Sequence, residues 1–150
     1  MPVLKVSNFM TQKVLTAHPG DGIRHTFFRM REDDVRHFPV VDDDNKLVGI
    51  ISDRDLRRPD WVDEAPDLAH IYNLDDGLTV KDLMSTNLVV AHTYESLHKA
   101  TKTLIEHRFG ALPVLNKEKE LVGLLSATDL LQALELLLSE QKNAKKPGGR

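Results

Sequence analysis

The chain has 150 residues, 41% apolar and 29% charged, with a formal net charge of −3: enough for one compact soluble domain, or two small units that share a core. So small a charge gives no general attraction for nucleic acid or anionic membrane, and the lack of cysteine excludes disulfides, thiolate catalysis and cysteine-bound metal. The opening "MPVLKVSNFM" has no signal-peptide pattern and no apolar run is long enough to span a bilayer, so a cytoplasmic location without membrane insertion is expected.

Residues 14–17, "VLTA", read as a short apolar strand. Residues 20–33 carry a helical stripe at Ile23, Phe27 and Met30, with Asp21 as the N-cap. "HFPVV" (37–41) is a strand, "DDDN" (42–45) a hairpin turn, and "LVGIIS" (47–52) the returning strand. "DRDLRR" opens a second helix, which Pro59 stops. The prolines of residues 57–79 argue against one long helix there, and Trp61, Leu68, Ile71 and Leu74 against a free loop. From residue 88 the series returns as "LVVA", "ESLHKATKTLIEHR", "ALPVL", "NKEKE", "LVGLLS" and "ATDLLQALELLL". Each copy is therefore β-α-β-β-α.

The return is a true repeat. Shifted by 74 residues, 6–56 falls on 80–130 without a gap, with 13 identities in 51 positions. Unrelated sequences would give roughly three. Met10/Met84, Pro39/Pro113, Gly49/Gly123, Ser52/Ser126 and Asp55/Asp129 are among them, and Thr11/Ser85 is a similar pair. The expected fold is mixed α/β (α+β), with two βαββα motifs packed as a pseudo-twofold pair. The expected boundaries are 6–58 for the first motif, 59–79 for a linker, 80–138 for the second motif, and 139–150 for a disordered tail.

Ser-x-x-Asp between a strand and a helix has two readings. As a capping box, the hydroxyl accepts from a first-turn amide and the carboxylate favours the helix's positive end. As a ligand site, the helix start and hydroxyl suit a phosphate, and the carboxylate suits both hydrogens of a ribose diol. Gly49 and Gly123 lie on the strands, where a missing side chain lets another backbone or a ligand approach.

The doubled phrase "RHFPVVDDDNKLVGIISDRDL" and "GALPVLNKEKELVGLLSATDL" resembles the cystathionine-β-synthase (CBS) domain in tandem, the Bateman module of stand-alone CBS-domain proteins. The resemblance covers residues 6–56 and 80–130. It implies a homodimer of pairs and adenosine ligands in two clefts: AMP, ADP or ATP, more rarely S-adenosylmethionine or NAD. It implies one cleft of Ile51, Ser52, Arg54 and Asp55 with Met84, Val89, Gly110 and Ala111. The other joins Leu125, Ser126, Thr128 and Asp129 to Met10, Leu15, Arg36 and His37. The second would then gain the cations and hold phosphate better.

No nucleophile has a base beside it and no paired carboxylates have a pocket, so no catalytic residue and no enzyme activity is expected. The seven histidines lack zinc-motif spacing, and "DDDNK" lacks a calcium loop's central Gly and terminal Glu, so no metal and no required cofactor is expected. The expected function is a regulatory, energy-sensing module. Its partners are an adenine nucleotide, a second copy of itself and a regulated enzyme or transporter. The alternative is a ligand-independent dimerisation or protein-interaction module.

Overall fold

The computed structural model describes residues 4–56 and 77–145. The chain divides into two units. The first is Val14–Val89. The second joins Met1–Lys13 to Val90–Arg150.

In the first unit a loop from residue 14 leads to α2 (Ile23–Glu32), after the short α1 (Val6–Phe9) of the other unit. Next come β1 (His37–Val41), β2 (Leu47–Ser52) and α3 (Asp53–Leu56), and α4 (Val80–Leu83) follows in the later segment. The β1–β2 hairpin pairs His37 with Ser52 and Val40 with Gly49, and shifts register at Val40/Val41. The turn forms as its composition dictates. Asp42 Oδ1 accepts from the amides of Asp44 and Lys46, both at 2.9 Å, and Asn45 takes the left-handed conformation at φ 63°. The apolar stripe of α2 puts Ile23, Phe27 and Met30 into a core with Phe38, Val40, Ile51, Leu56 and Val80.

The second unit contains α1, β3 (Ala91–His92), α5 (Leu97–His107), β4 (Ala111–Leu115), β5 (Leu121–Ser126) and α6 (Ala127–Lys145). Its hairpin repeats the first: Ala111 faces Ser126, Val114 faces Gly123, and the register shifts at Val114/Leu115. Ser96 caps α5 by accepting from the Lys99 amide at 3.1 Å. Leu97, Ala100, Leu104, Leu112, Val114 and Leu125 are buried.

The units exchange their leading segments. Residues 4–11 precede the first copy in sequence but join the second copy's unit. Val6 N–H donates to Glu95 O at 3.0 Å, and Thr11 bridges Leu124 through two backbone bonds of 2.8 and 3.0 Å. Residues 78–85 join the first copy's unit in the same way. Val80 N–H donates to Asp21 O at 2.8 Å, and Ser85 bridges Ile50 through bonds of 2.9 and 3.0 Å.

The mixed α/β fold is as expected, and three local expectations change. "VLTA" is no strand: only Ala17 meets β1, in a single parallel bridge to Val40, and its counterpart β3 has two residues. Asp21 does not cap α2. Gly22 is the N-cap, and the Asp21 carboxylate turns back to accept from the His18 amide at 2.9 Å. The tail does not begin at residue 139, because α6 runs on to Lys145. Glu, Gln, Lys and Ala sustain a helix without apolar burial, and Ser139 Oγ donates to Glu135 at 2.8 Å. Residues 146–150, most of the 59–79 linker, and Trp61, Leu68, Ile71 and Leu74 lie outside the described residues.

Candidate functional site

Each hairpin ends where a helix begins, and each junction carries Ser-x-x-Asp. At the first, Ser52 N–H donates to Asp55 Oδ2 at 2.9 Å and Asp55 N–H donates to Ser52 Oγ at 3.1 Å. At the second, Ser126 N–H donates to Asp129 Oδ2 at 2.8 Å, Ser126 Oγ donates to the same oxygen at 3.1 Å, and Asp129 N–H donates to Ser126 Oγ at 3.3 Å. Both are reciprocal capping boxes: the serine satisfies a helix amide and the carboxylate satisfies the serine's own.

The surroundings of the two carboxylates differ. Asp55 is half-buried, and among the described residues it accepts only from the Ser52 amide. Asp129 is 7% exposed and takes a further donor. Thr11 Oγ1 lies 3.2 Å from its Oδ1 and 3.4 Å from its Oδ2. Thr11 is a partner of this carboxylate that the sequence alone does not single out. Its signal was the repeat, which keeps a hydroxyl at 11 and at 85. Among the described residues the Ser85 hydroxyl makes no matching bond to Asp55.

The two strand glycines have a direct explanation. A Cβ on Gly49 would lie 2.7 Å from Met84 Sδ and 3.0 Å from Ser85 O. A Cβ on Gly123 would lie 2.6 Å from Met10 Sδ and 3.1 Å from Thr11 O. In each unit, then, the glycine admits a methionine and the backbone of the exchanged segment. Met84 is thereby brought to the hairpin that ends in Ser52 and Asp55, and Met10 to the one that ends in Ser126 and Asp129.

The remaining candidates fall as follows. Ile51 and Leu125 have fully buried side chains, so only their backbones are available to a ligand. Arg54 and Thr128 are exposed, and Leu15 and Val89 are half-buried. Arg36 and His37 are in the unit of Asp55: Asp53 N–H donates to Arg36 O at 2.9 Å, and His37 faces Ser52 across the hairpin. Gly110 and Ala111 are in the unit of Asp129, where Ala127 N–H donates to Gly110 O at 3.0 Å. Burial lowers the His37 pKa from its ordinary 6.5. Asp53 and Asp55 oppose that shift, and Arg36 adds to it. The Arg36 side chain is exposed.

Among the described residues, no group of three or more His, Asp or Glu side chains gathers where it could hold a metal ion, and no helix is long and apolar enough to cross a membrane.

A family model described as the CBS domain matches residues 6–59 and again 80–136. A CBS domain-containing protein of Dictyostelium discoideum is 30% identical over 135 residues, covering 86% of this chain and 90% of that one. The CBS-pair protein CBSX2 of Arabidopsis thaliana superposes with a TM-score of 0.79 at 27% identity, over 92% of this chain and 99% of that one. CBSX2 in complex with AMP gives a TM-score of 0.73 at 29% identity, over 89% and 98%. Other relatives are much longer. The chain spans 24% of a homoserine O-acetyltransferase of Methanohalobium evestigatum, at 27% identity over 87% of its own length.

Proposed function

Starting from the fact that the chain belongs to the CBS domain family and carries the domain twice, we propose that it is a regulatory module that binds an adenosine-type ligand and has no chemistry of its own. The observation that carries this reading is the doubled strand–Ser-x-x-Asp–helix junction. Each copy offers a carboxylate for a diol beside a helix start and a hydroxyl. AMP, ADP or ATP is the proposed ligand, and the AMP complex of CBSX2 supports an adenine nucleotide. Ser52, Asp55 and Met84 would meet it in one unit, and Ser126, Asp129 and Met10 in the other. Among the described residues, Arg54 lies in the helix of the first junction and the Arg36 carbonyl accepts from the Asp53 amide beside it. A charge-assisted bond from either to a phosphate is worth about 1.5–3 kcal/mol.

The test is calorimetry of nucleotide-stripped protein with AMP, ADP, ATP, NAD and S-adenosylmethionine. A binding event that Asp55→Ala or Asp129→Ala removes is expected. Silence towards all five ligands, from protein shown to be folded, would refute the reading.

A second reading has its own observation. Leu131, Leu134 and Leu138 lie along one face of α6 and are 64%, 48% and 55% exposed. Such a face suits a second copy of the chain, so a homodimer is proposed, with or without nucleotide. A monomeric mass in light scattering would count against it.

A further inference from the structure

We propose that Thr11 sets how well the Asp129 carboxylate takes a ribose diol: its hydroxyl occupies acceptor capacity that the diol needs, so the two motifs hold ribose unequally and Asp55 is the more open one. The inference rests on the nucleoside reading above and deepens it.

A carboxylate has about four acceptor positions, two on each oxygen. On Asp129, Oδ2 already receives the Ser126 amide at 2.8 Å and the Ser126 hydroxyl at 3.1 Å. Its capacity is used by bonds within the cap. The Thr11 hydroxyl lies nearer the other oxygen, Oδ1, at 3.2 Å. One acceptor position is left there, and a vicinal diol brings two hydrogens. On Asp55 the described residues place only the Ser52 amide, which leaves both hydrogens of a diol an acceptor position that no described donor fills.

Burial sharpens the contrast. With 7% of its surface exposed, Asp129 has little water to replace a donor that leaves. The second ribose hydroxyl to reach Oδ1 therefore exchanges one bond for another, while at Asp55 it adds one. The exchange needs no backbone movement. Thr11 is exposed and its main chain is fixed to Leu124 by two hydrogen bonds, so rotation about χ1 alone moves the hydroxyl off the carboxylate. Valine has the shape of threonine and suits the same extended backbone, so Thr11→Val removes the donor and little else.

The experiment is calorimetry of the full chain in an Asp55→Ala background, which isolates the Asp129 event, with adenosine and 2′-deoxyadenosine as probes. Thr11→Val is expected to tighten adenosine by about two- to tenfold, the worth of one net hydrogen bond. Thr11→Ala, which also lacks the hydroxyl, is expected to do the same. Thr11→Ser keeps the donor and should bind like the parent. The 2′-deoxy probe, short of one diol hydrogen, should show no such gain. Unchanged or weaker adenosine binding in both Thr11→Val and Thr11→Ala overturns the inference alone, as does an equal gain for the deoxy probe. No adenosine event in the parent, in these variants or in the wild type overturns the nucleoside reading and this inference with it.

Discussion

Replacing Gly49 with alanine tests the packing of the exchanged segment on its hairpin. The new methyl would lie 2.7 Å from Met84 Sδ, 3.1 Å from Met84 Cγ and 3.0 Å from Ser85 O. The sulfur ends a flexible side chain and can swing away. The oxygen cannot, because Ser85 is held to Ile50 in both directions, at 2.9 and 3.0 Å. Receding by the few tenths of an ångström needed would lengthen both bonds. Overpacking of this kind costs about 1–3 kcal/mol. Alanine returns about 0.4–1 kcal/mol by restricting the unfolded chain. The balance is a net loss of about 1–2 kcal/mol, read as a lower urea midpoint at unchanged m-value by circular dichroism. Adding Met84→Ala separates the two obstacles in a double-mutant cycle. If the oxygen decides, removing the sulfur does not restore stability. A Gly49→Ala protein as stable as wild type would refute the reasoning, and full rescue by Met84→Ala would move the obstacle to the sulfur.

Two further outcomes are expected. Burial lowers the His37 pKa in the folded state, so as pH falls through 6.5 the unfolded chain takes up its proton first and stability drops until the folded pKa is passed. His37→Gln should flatten that part of the stability–pH curve measured by urea titration, and an unchanged slope would place the titration elsewhere. Arg108 ends α5 in the left-handed conformation at φ 56°, which costs a side-chain-bearing residue about 1–2 kcal/mol. Arg108→Gly should therefore raise stability by about 0.5–1 kcal/mol after glycine's extra unfolded-state entropy, and a lower melting temperature would contradict this.

The hairpins were legible because three signals agreed: short apolar runs, a polar turn between them, and a second run that ends at Ser-x-x-Asp. The caps were legible for the same reason. Residues 14–17 misled because an apolar run can bury itself beside a strand without joining it beyond one bridge. Residues 139–145 differ from expectation because a polar segment can still be helical: Glu, Gln and Lys are good helix formers. Asp21 had the right spacing for a cap, but its carboxylate found a nearer amide at His18. Thr11 was out of reach of any local argument, since its partner lies 118 residues away. The repeat showed that residues 10–11 and 84–85 correspond. It could not show that each pair packs on the hairpin of the other copy.

That exchange fixes the order in which the molecule can be completed during synthesis. Val14–Val89 is one uninterrupted stretch, so every strand and bridge it needs has been made once residue 89 has left the ribosome. The first thirteen residues are made earlier still, yet Thr11 waits for Leu124 and Asp129. At about 5–20 residues per second, that wait lasts several seconds. A nascent chain stalled after residue 89 has emerged should therefore resist protease over residues 14–56 and be cut at its N-terminus. Protection there should return only after β5 has emerged.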